Sequence, residues 1–130
     1  MNLLRTLRRI AFAGLLIAAI AKLVRWRPAL PIARYVVEGN SMEPAFHAGD
    51  RLLVNRRAYR SRRPRVGDVV VVRDPERTGH LLLKRVARPP DSATSSGVYL
   101  LGDNAAESRD SREFGMIDEN RIIGKAWRRY

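Results

Sequence analysis

At 130 residues the chain has room for one domain with a modest core, and its lack of cysteine excludes a disulfide framework, a thiolate nucleophile and a Cys-based zinc site. Its two histidines, His47 and His80, are too few for a metal cluster, and no cofactor is expected. The formal net charge of +12 calls for an anionic partner, either nucleic acid or an anionic membrane surface.

Residues 1–27 are expected to form a membrane anchor. Arg5, Arg8 and Arg9 precede the apolar run Ile10–Ala21, and Lys22, Arg25 and Arg27 follow it. Flanking Leu, Val and Trp residues extend the run toward the roughly 20 apolar residues that a spanning helix needs. An interfacial amphipathic helix and a cleavable signal peptide ending at Ala19-Ile20-Ala21 are the alternatives. Pro28 and Pro31 then bracket a short linker.

Beyond the linker the pattern is one of strands: Arg34–Glu38, Arg51–Asn55, Val69–Arg73, Leu81–Ala87, Val98–Leu101 and Arg121–Trp127, with no helical period of useful length. This predicts a mainly β domain over residues 28–130, a small coiled antiparallel sheet or half-barrel. Gly49-Asp50 and Gly67-Asp68 each precede an apolar run and echo one another as structural turns. Between them, Arg56–Arg65 holds six arginines in ten residues with one tyrosine. Beside an anchor, anionic lipid headgroups are a more economical partner for this run than nucleic acid, for which only one stacking aromatic is present. Arg88–Gly97 is a second connector, rich in Pro and Ser.

Three stretches carry candidate chemistry. Val36–Pro44 is a β-branched run that breaks into a Gly-Asn turn and presents Ser41. A serine at such a break can expose its hydroxyl, with freed backbone N–H groups beside it to face a developing oxyanion, although most turn serines do nothing chemical. Of the 25 basic residues, all but Lys22, Lys84 and Lys125 are arginine, which cannot lose its proton in a protein as a desolvated lysine can. Nothing in context separates Lys22 and Lys125 from drift. Lys84, however, shares a strand face with Leu82 and Val86, and an apolar face favours the neutral amine, which could take a proton from a serine. The bland alternative is a lysine snorkelling from a sheet edge. A Ser-His-Asp triad has less support, because neither histidine has an evident orienting carboxylate. The polar run Gly102–Gly115 is either a loop held by an Asp110–Arg112 network or also the source of a hydroxyl that orients a lysine.

Gly39-Asn40-Ser41-Met42-Glu43-Pro44, Lys84-Arg85-Val86, and Gly102-Asp103-Asn104 with Ser108, Asp110, Ser111, Arg112 and Gly115 together resemble the boxes of the type I signal peptidases (S26-like), the Ser/Lys membrane proteases. The resemblance covers nearly the whole chain. It implies one N-terminal transmembrane helix in the cell membrane and a β-rich serine endopeptidase domain outside the cytoplasm, cutting leader peptides of precursor proteins after Ala-X-Ala. Ser41 would be the nucleophile and Lys84 the general base. Ser108 would orient the lysine, Asp110 and Arg112 would form a supporting ion pair, and the Ser41 N–H would face the oxyanion. Val37, Gly39, Met42, Phe46 and Leu83 would meet the substrate, bound as an added strand.

Two features depart from the family pattern. Some members carry a second oxyanion-hole serine where this chain has Gly39. The large β insertion of bigger members is also lacking, a compactness similar to that of the small relatives that remove the propeptide of nickel-type superoxide dismutase, an alternative substrate for the same pair. A reading of another class is a non-catalytic basic β module binding anionic lipid or nucleic acid through residues 56–65. Self-cleaving repressors share a Ser/Lys pair, but they carry a DNA-binding domain where this chain has an apolar segment.

Overall fold

The computed structural model describes residues 14–22, 31–91 and 97–130. The chain divides into two compact units, Met1–Leu30 and Pro31–Tyr130. In the first, residues 14–22 are helical, and the rest of the anchor expected over 1–27 lies outside the described residues. Among the described residues no helix is long and apolar enough to cross a membrane.

The second unit is mainly β. Its strands are β1 (Ile32–Val36), β2 (Arg51–Asn55), β3 (Val69–Arg73), β4 (Leu81–Arg88), β5 (Tyr99–Leu101) and β6 (Ile122–Arg129). All neighbours pair antiparallel. The expected coiled sheet or half-barrel is a single open sheet in the order β1-β2-β6-β3-β4-β5, with β1 and β5 as its edges. Burial follows position in that order. At the edge, β1 alternates exposed and half-buried residues, whereas Val69–Val72 of the interior strand β3 are buried on both faces. One core cluster gathers Val37, Met42, Leu52, Val54, Val69, Val71 and Leu83, and a second gathers Val70, Val72, Val86, Val98, Leu100 and Ile117. The β3 and β4 side chains divide between them by parity, as a pleated strand requires.

The strand boundaries differ from expectation where a partner is missing or extra. Val98 lies outside β5 because it bridges to Ile117 rather than to a named strand. At the other end, β6 runs on to Arg129 by pairing with β2 across a register shift at Leu53/Val54.

The two Gly-Asp turns are built alike. Gly49 and Gly67 both take a φ of +89°, a region that L side chains rarely adopt. Asp50 Oδ2 accepts the His47 N–H at 2.9 Å, and Asp68 Oδ2 accepts the Arg65 N–H at 3.1 Å. Each aspartate then meets a cation of β6, Asp50 with Arg129 at 2.9 Å and Asp68 with Lys125 at 2.8 Å. Lys125, without contextual signal in the sequence, is therefore half of an ion pair. Asp68 also accepts the Tyr59 hydroxyl at 2.9 Å and lies 3.3 Å from Arg62, which ties the arginine-rich connector down at its middle.

Burial acts to raise the Asp68 carboxyl, but hydrogen bonds from Lys125, the Arg65 N–H and Tyr59 outweigh it and lower the pKa to about 2. A depressed carboxylate contributes stability that is present above its ordinary pKa of 3.8 and is lost as pH falls through about 2. We expect urea unfolding of the wild type to lose about 2 kcal/mol between those pH values that Asp68→Asn does not lose. Parallel acid branches for the two proteins would contradict this.

Candidate active site

Ser41 sits in the turn that follows β1. The Glu43 N–H donates to Asn40 O at 3.1 Å and the Phe46 N–H to Met42 O at 2.9 Å, so the chain coils on itself directly after the serine. Met42, fully buried in the first core cluster, pins that coil to the sheet. From the other side, the Asn104 N–H donates to Ser41 O at 2.9 Å and Asn104 Nδ2 to Asn40 O at 3.2 Å. Among the described residues the Ser41 N–H itself has no hydrogen-bond acceptor.

Lys84 reaches the same point from β4. Its neighbours in register are Val70 on β3 and, along its own face, Leu82 and Val86 of the second core cluster. The residue is 2% exposed, and its Nζ lies 2.8 Å from Ser41 Oγ. Burial is the largest influence on the amine and lowers its pKa. Asp110 and Asp74 act to raise it and Arg109 and Arg112 to lower it, and the net result lies below the ordinary value. Neither histidine hydrogen-bonds to Ser41 among the described residues: the His47 backbone serves the Asp50 turn, and His80 is exposed at the start of β4.

The third stretch folds around Asp110, which is fully buried and caps the one-turn helix Ser111–Phe114. Its carboxylate accepts Arg112 Nε at 2.9 Å, Arg112 Nη2 at 2.6 Å, the Arg112 N–H at 3.2 Å, the Gly102 N–H at 2.9 Å and Ser108 Oγ at 2.6 Å. Burial alone would raise this carboxyl. The Arg112, Gly102 and Ser108 hydrogen bonds overcome that and hold it far below the usual carboxylate range. Gly102 is a point of close approach, where a Cβ would collide with Ser108 Oγ and Ser41 O. Next to it, Asp103 takes a bidentate contact from Arg85, at 2.8 Å from Nε and 2.7 Å from Nη2.

Ser41, Lys84, Ser108, Asp110 and Arg112 are thus brought together, with one difference from expectation. The Ser108 hydroxyl donates to Asp110, and the structure holds no hydrogen bond between Ser108 and Lys84. The carboxylate is the stronger acceptor, and it lies only two residues away. Of the residues expected to meet substrate, Val37, Met42 and Leu83 are buried together in the first core cluster. Phe46 packs against that cluster half-buried, and Gly39 is exposed on the turn. Two residues of the site carry no signal in the sequence: Asp74, just past β3, and Arg109, which pair across the fold.

A cleft of about 420 Å³ is lined by Arg34–Val36 and Glu38 of the β1 end and by Gly79–Leu81 at the start of β4. From Glu38 the chain leads on to Ser41, and from Leu81 to Lys84. Since β5 joins β4 only from Arg85 onward, the Leu81–Lys84 edge that faces away from β3 has no strand partner among the described residues.

The family model for signal peptidase, peptidase S26, matches residues 4–96 and 92–130. A mitochondrial ATP-independent inner membrane protease subunit 1b of Arabidopsis thaliana is 34% identical over 110 residues, covering 69% of this chain and 65% of that protein. The "Probable signal peptidase I-1" of Synechocystis sp. is 27% identical over 151 residues, covering 85% of this chain and 76% of the relative. A mitochondrial inner membrane protease subunit 2 of Schizosaccharomyces pombe is 29% identical over 141 residues, covering 91% and 78%. This chain therefore spans about two thirds of the plant relative's length and about three quarters of the other two. With a match running from residue 4 to residue 130, the chain belongs to the signal peptidase family, peptidase S26.

Proposed function

We propose that this chain is a membrane-anchored serine endopeptidase that removes N-terminal leader or signal peptides after small residues, using Ser41 and Lys84. The observation that carries the reading is the 2.8 Å contact between Ser41 Oγ and the Nζ of a lysine that is 2% exposed. A buried amine gives up its proton more readily than a solvated one, and a neutral Lys84 accepts the hydroxyl proton as Oγ attacks the scissile carbonyl. The oxyanion meets the Ser41 N–H, which has no other acceptor. The Lys84 ammonium then protonates the departing amine and, neutral again, takes a proton from the water that hydrolyses the acyl-serine. With Gly39 where some relatives carry serine, a second oxyanion donor comes from backbone or water.

The substrate lies extended in the cleft between the β1 end and β4, where the unpaired edge of Leu81–Lys84 offers backbone groups for an added strand. Val37, Met42 and Leu83 are packed in the core cluster that adjoins Ser41, with Phe46 half-buried against it, and a preference for small side chains as in Ala-X-Ala is part of the proposal. Ser108, Asp110 and Arg112 act together: Ser108 and Arg112 satisfy the Asp110 carboxylate, and Asp110 holds the Gly102 turn against Ser41. A non-catalytic basic module would have no use for a desolvated amine held against a serine.

We also propose that the catalytic unit stands on the extracytoplasmic face and touches anionic lipid. Arg56, Arg57, Arg60, Arg63 and Arg65 are exposed, whereas Arg62 is paired with Asp68. Beside them Ile32 and Trp127, 44% and 64% exposed, line a shallow cleft of about 330 Å³ with Arg57. Aromatic and arginine side chains together suit the lipid interface.

With an Ala-X-Ala leader peptide in detergent, Ser41→Ala and Lys84→Ala should each lower kcat/KM by at least about 1,000-fold, with Lys84→Arg no better, because arginine keeps its proton. Substantial cleavage by Lys84→Arg would rule out a neutral amine as the base. The wild-type rate should rise from neutral to mildly alkaline pH as Lys84 deprotonates, and a flat profile would contradict the mechanism. Reversing Arg56 and Arg57 to Glu should reduce the preference for phosphatidylglycerol-containing over neutral vesicles by about 10-fold or more, at about 1 kcal/mol per basic residue. An unchanged ratio would remove the lipid role from this connector.

A further inference from the structure

Beside the Ser41–Lys84 contact lies a second buried carboxylate that the mechanism above leaves without a part. Asp74 follows β3 directly, with its side chain 1% exposed. It accepts the Glu76 N–H at 2.9 Å and the Arg77 N–H at 3.2 Å, and it is ion-paired with Arg109, 35 residues further on. The same guanidinium reaches Glu76 Oε2 at 2.8 Å and lies 5.5 Å above the Phe114 ring. The Asp74 N–H also donates to His80 O at 2.9 Å, closing the hairpin from which β4 carries Lys84. Arg109 in turn sits between Ser108 and Asp110 in sequence. The pair therefore joins the hairpin that bears the lysine to the loop that packs against the serine.

Four charged groups act on the Lys84 amine: Asp110, Arg109, Asp74 and Arg112. On its own strand Arg85 is turned to Asp103, and across Val70 the β6 cation Lys125 is held by Asp68. The two carboxylates act to raise its pKa and the two guanidiniums to lower it, Asp110 most strongly and Arg112 least. Arg109 opposes these carboxylates, and without it the charge of Asp74 would add to that of Asp110 in favouring the ammonium form.

Building on the reading of Lys84 as the base, we propose that Asp74 and Arg109 form a positioning pair for it: they fasten the β3–β4 hairpin to the 102–115 loop and set the charge of Arg109 against that of Asp74 beside the amine. Burial then remains the largest influence on the protonation of Lys84. Neither residue touches the reacting atoms.

The two halves of the pair make opposite predictions, which separates an electrostatic role from simple bracing. The full chain in detergent is assayed on an Ala-X-Ala leader peptide, and kcat/KM is followed against pH. Arg109→Gln should move the midpoint of the rising limb up by about one pH unit, and Asp74→Asn should move it down by a similar amount. The double variant should return close to the wild-type position, and Arg109→Lys, which keeps the charge, should stay there. Slower rates with the limb unmoved in every variant would reduce the pair to a brace and overturn the proposal. If Arg109→Gln fails to fold, Asp74→Asn, which keeps the side chain's shape, decides by whether its limb moves down. Absence of wild-type cleavage would overturn the Ser41–Lys84 reading itself, and this role with it.

Discussion

A lysine amine held at a serine hydroxyl is useful as a base only if it can exist without its proton, and in water it cannot do so near neutral pH. The proposed role of the Lys84–Ser41 contact therefore depends on water being kept away, and much of the β unit serves that end. β4 is an interior strand whose Lys84 face lies against the second core cluster, between Leu82 and Val86. Desolvating an ammonium costs several kcal/mol even after relaxation, a free-energy difference large enough to shift the equilibrium toward the amine. The neighbouring carboxylates would undo this if they faced the lysine uncompensated, and each is instead occupied by arginine and backbone N–H groups.

Ser41 Oγ and Lys84 Nζ come from stretches that local structure alone would not bring together. Ser41 rides on a turn anchored from below by Met42 and from the side by Asn104. Asn104 is placed by the Gly102 turn, Gly102 is held by Asp110, and Asp110 is satisfied by Arg112 and Ser108. The chain of contacts leads from a surface arginine to the serine backbone with no unsatisfied buried side-chain polar atom among the described residues. A network of this kind is rigid when complete, and the loss of Ser108 or Arg112 takes hydrogen bonds away from the buried Asp110 carboxylate. Because β5 is short, Leu81–Lys84 of β4 has no strand partner on the edge away from β3 among the described residues.

Much of this was legible in the residues. Short β-branched and apolar runs marked the six strands, continuous in β3 because both its faces are buried, and Lys84 was marked by its apolar neighbours on one face. The echoing Gly-Asp turns were visible because only glycine suits the positive φ at Gly49 and Gly67. What could not be read were interactions set by the sheet order. Asp74 and Arg109 meet only because β3 and β4 form a hairpin whose end faces the 102–115 loop, and nothing local to either residue signals it. The pairing of Asp68 with Lys125 depends on β6 inserting between β2 and β3, a placement that strand patterns leave open. The Ser108 hydroxyl was assigned to the lysine by resemblance, whereas the buried carboxylate two residues away takes it.

The protonation of Lys84 is the point on which the catalytic account stands, and the composition makes it directly measurable. With lysine at positions 22, 84 and 125 alone, selective isotope labelling yields three side-chain signals, and Lys84→Arg identifies the one of interest. An NMR titration of that signal should show the Lys84 amine losing its proton below the ordinary 10.5. Titration at or above 10.5 would contradict a neutral amine at Ser41 and the mechanism built on it.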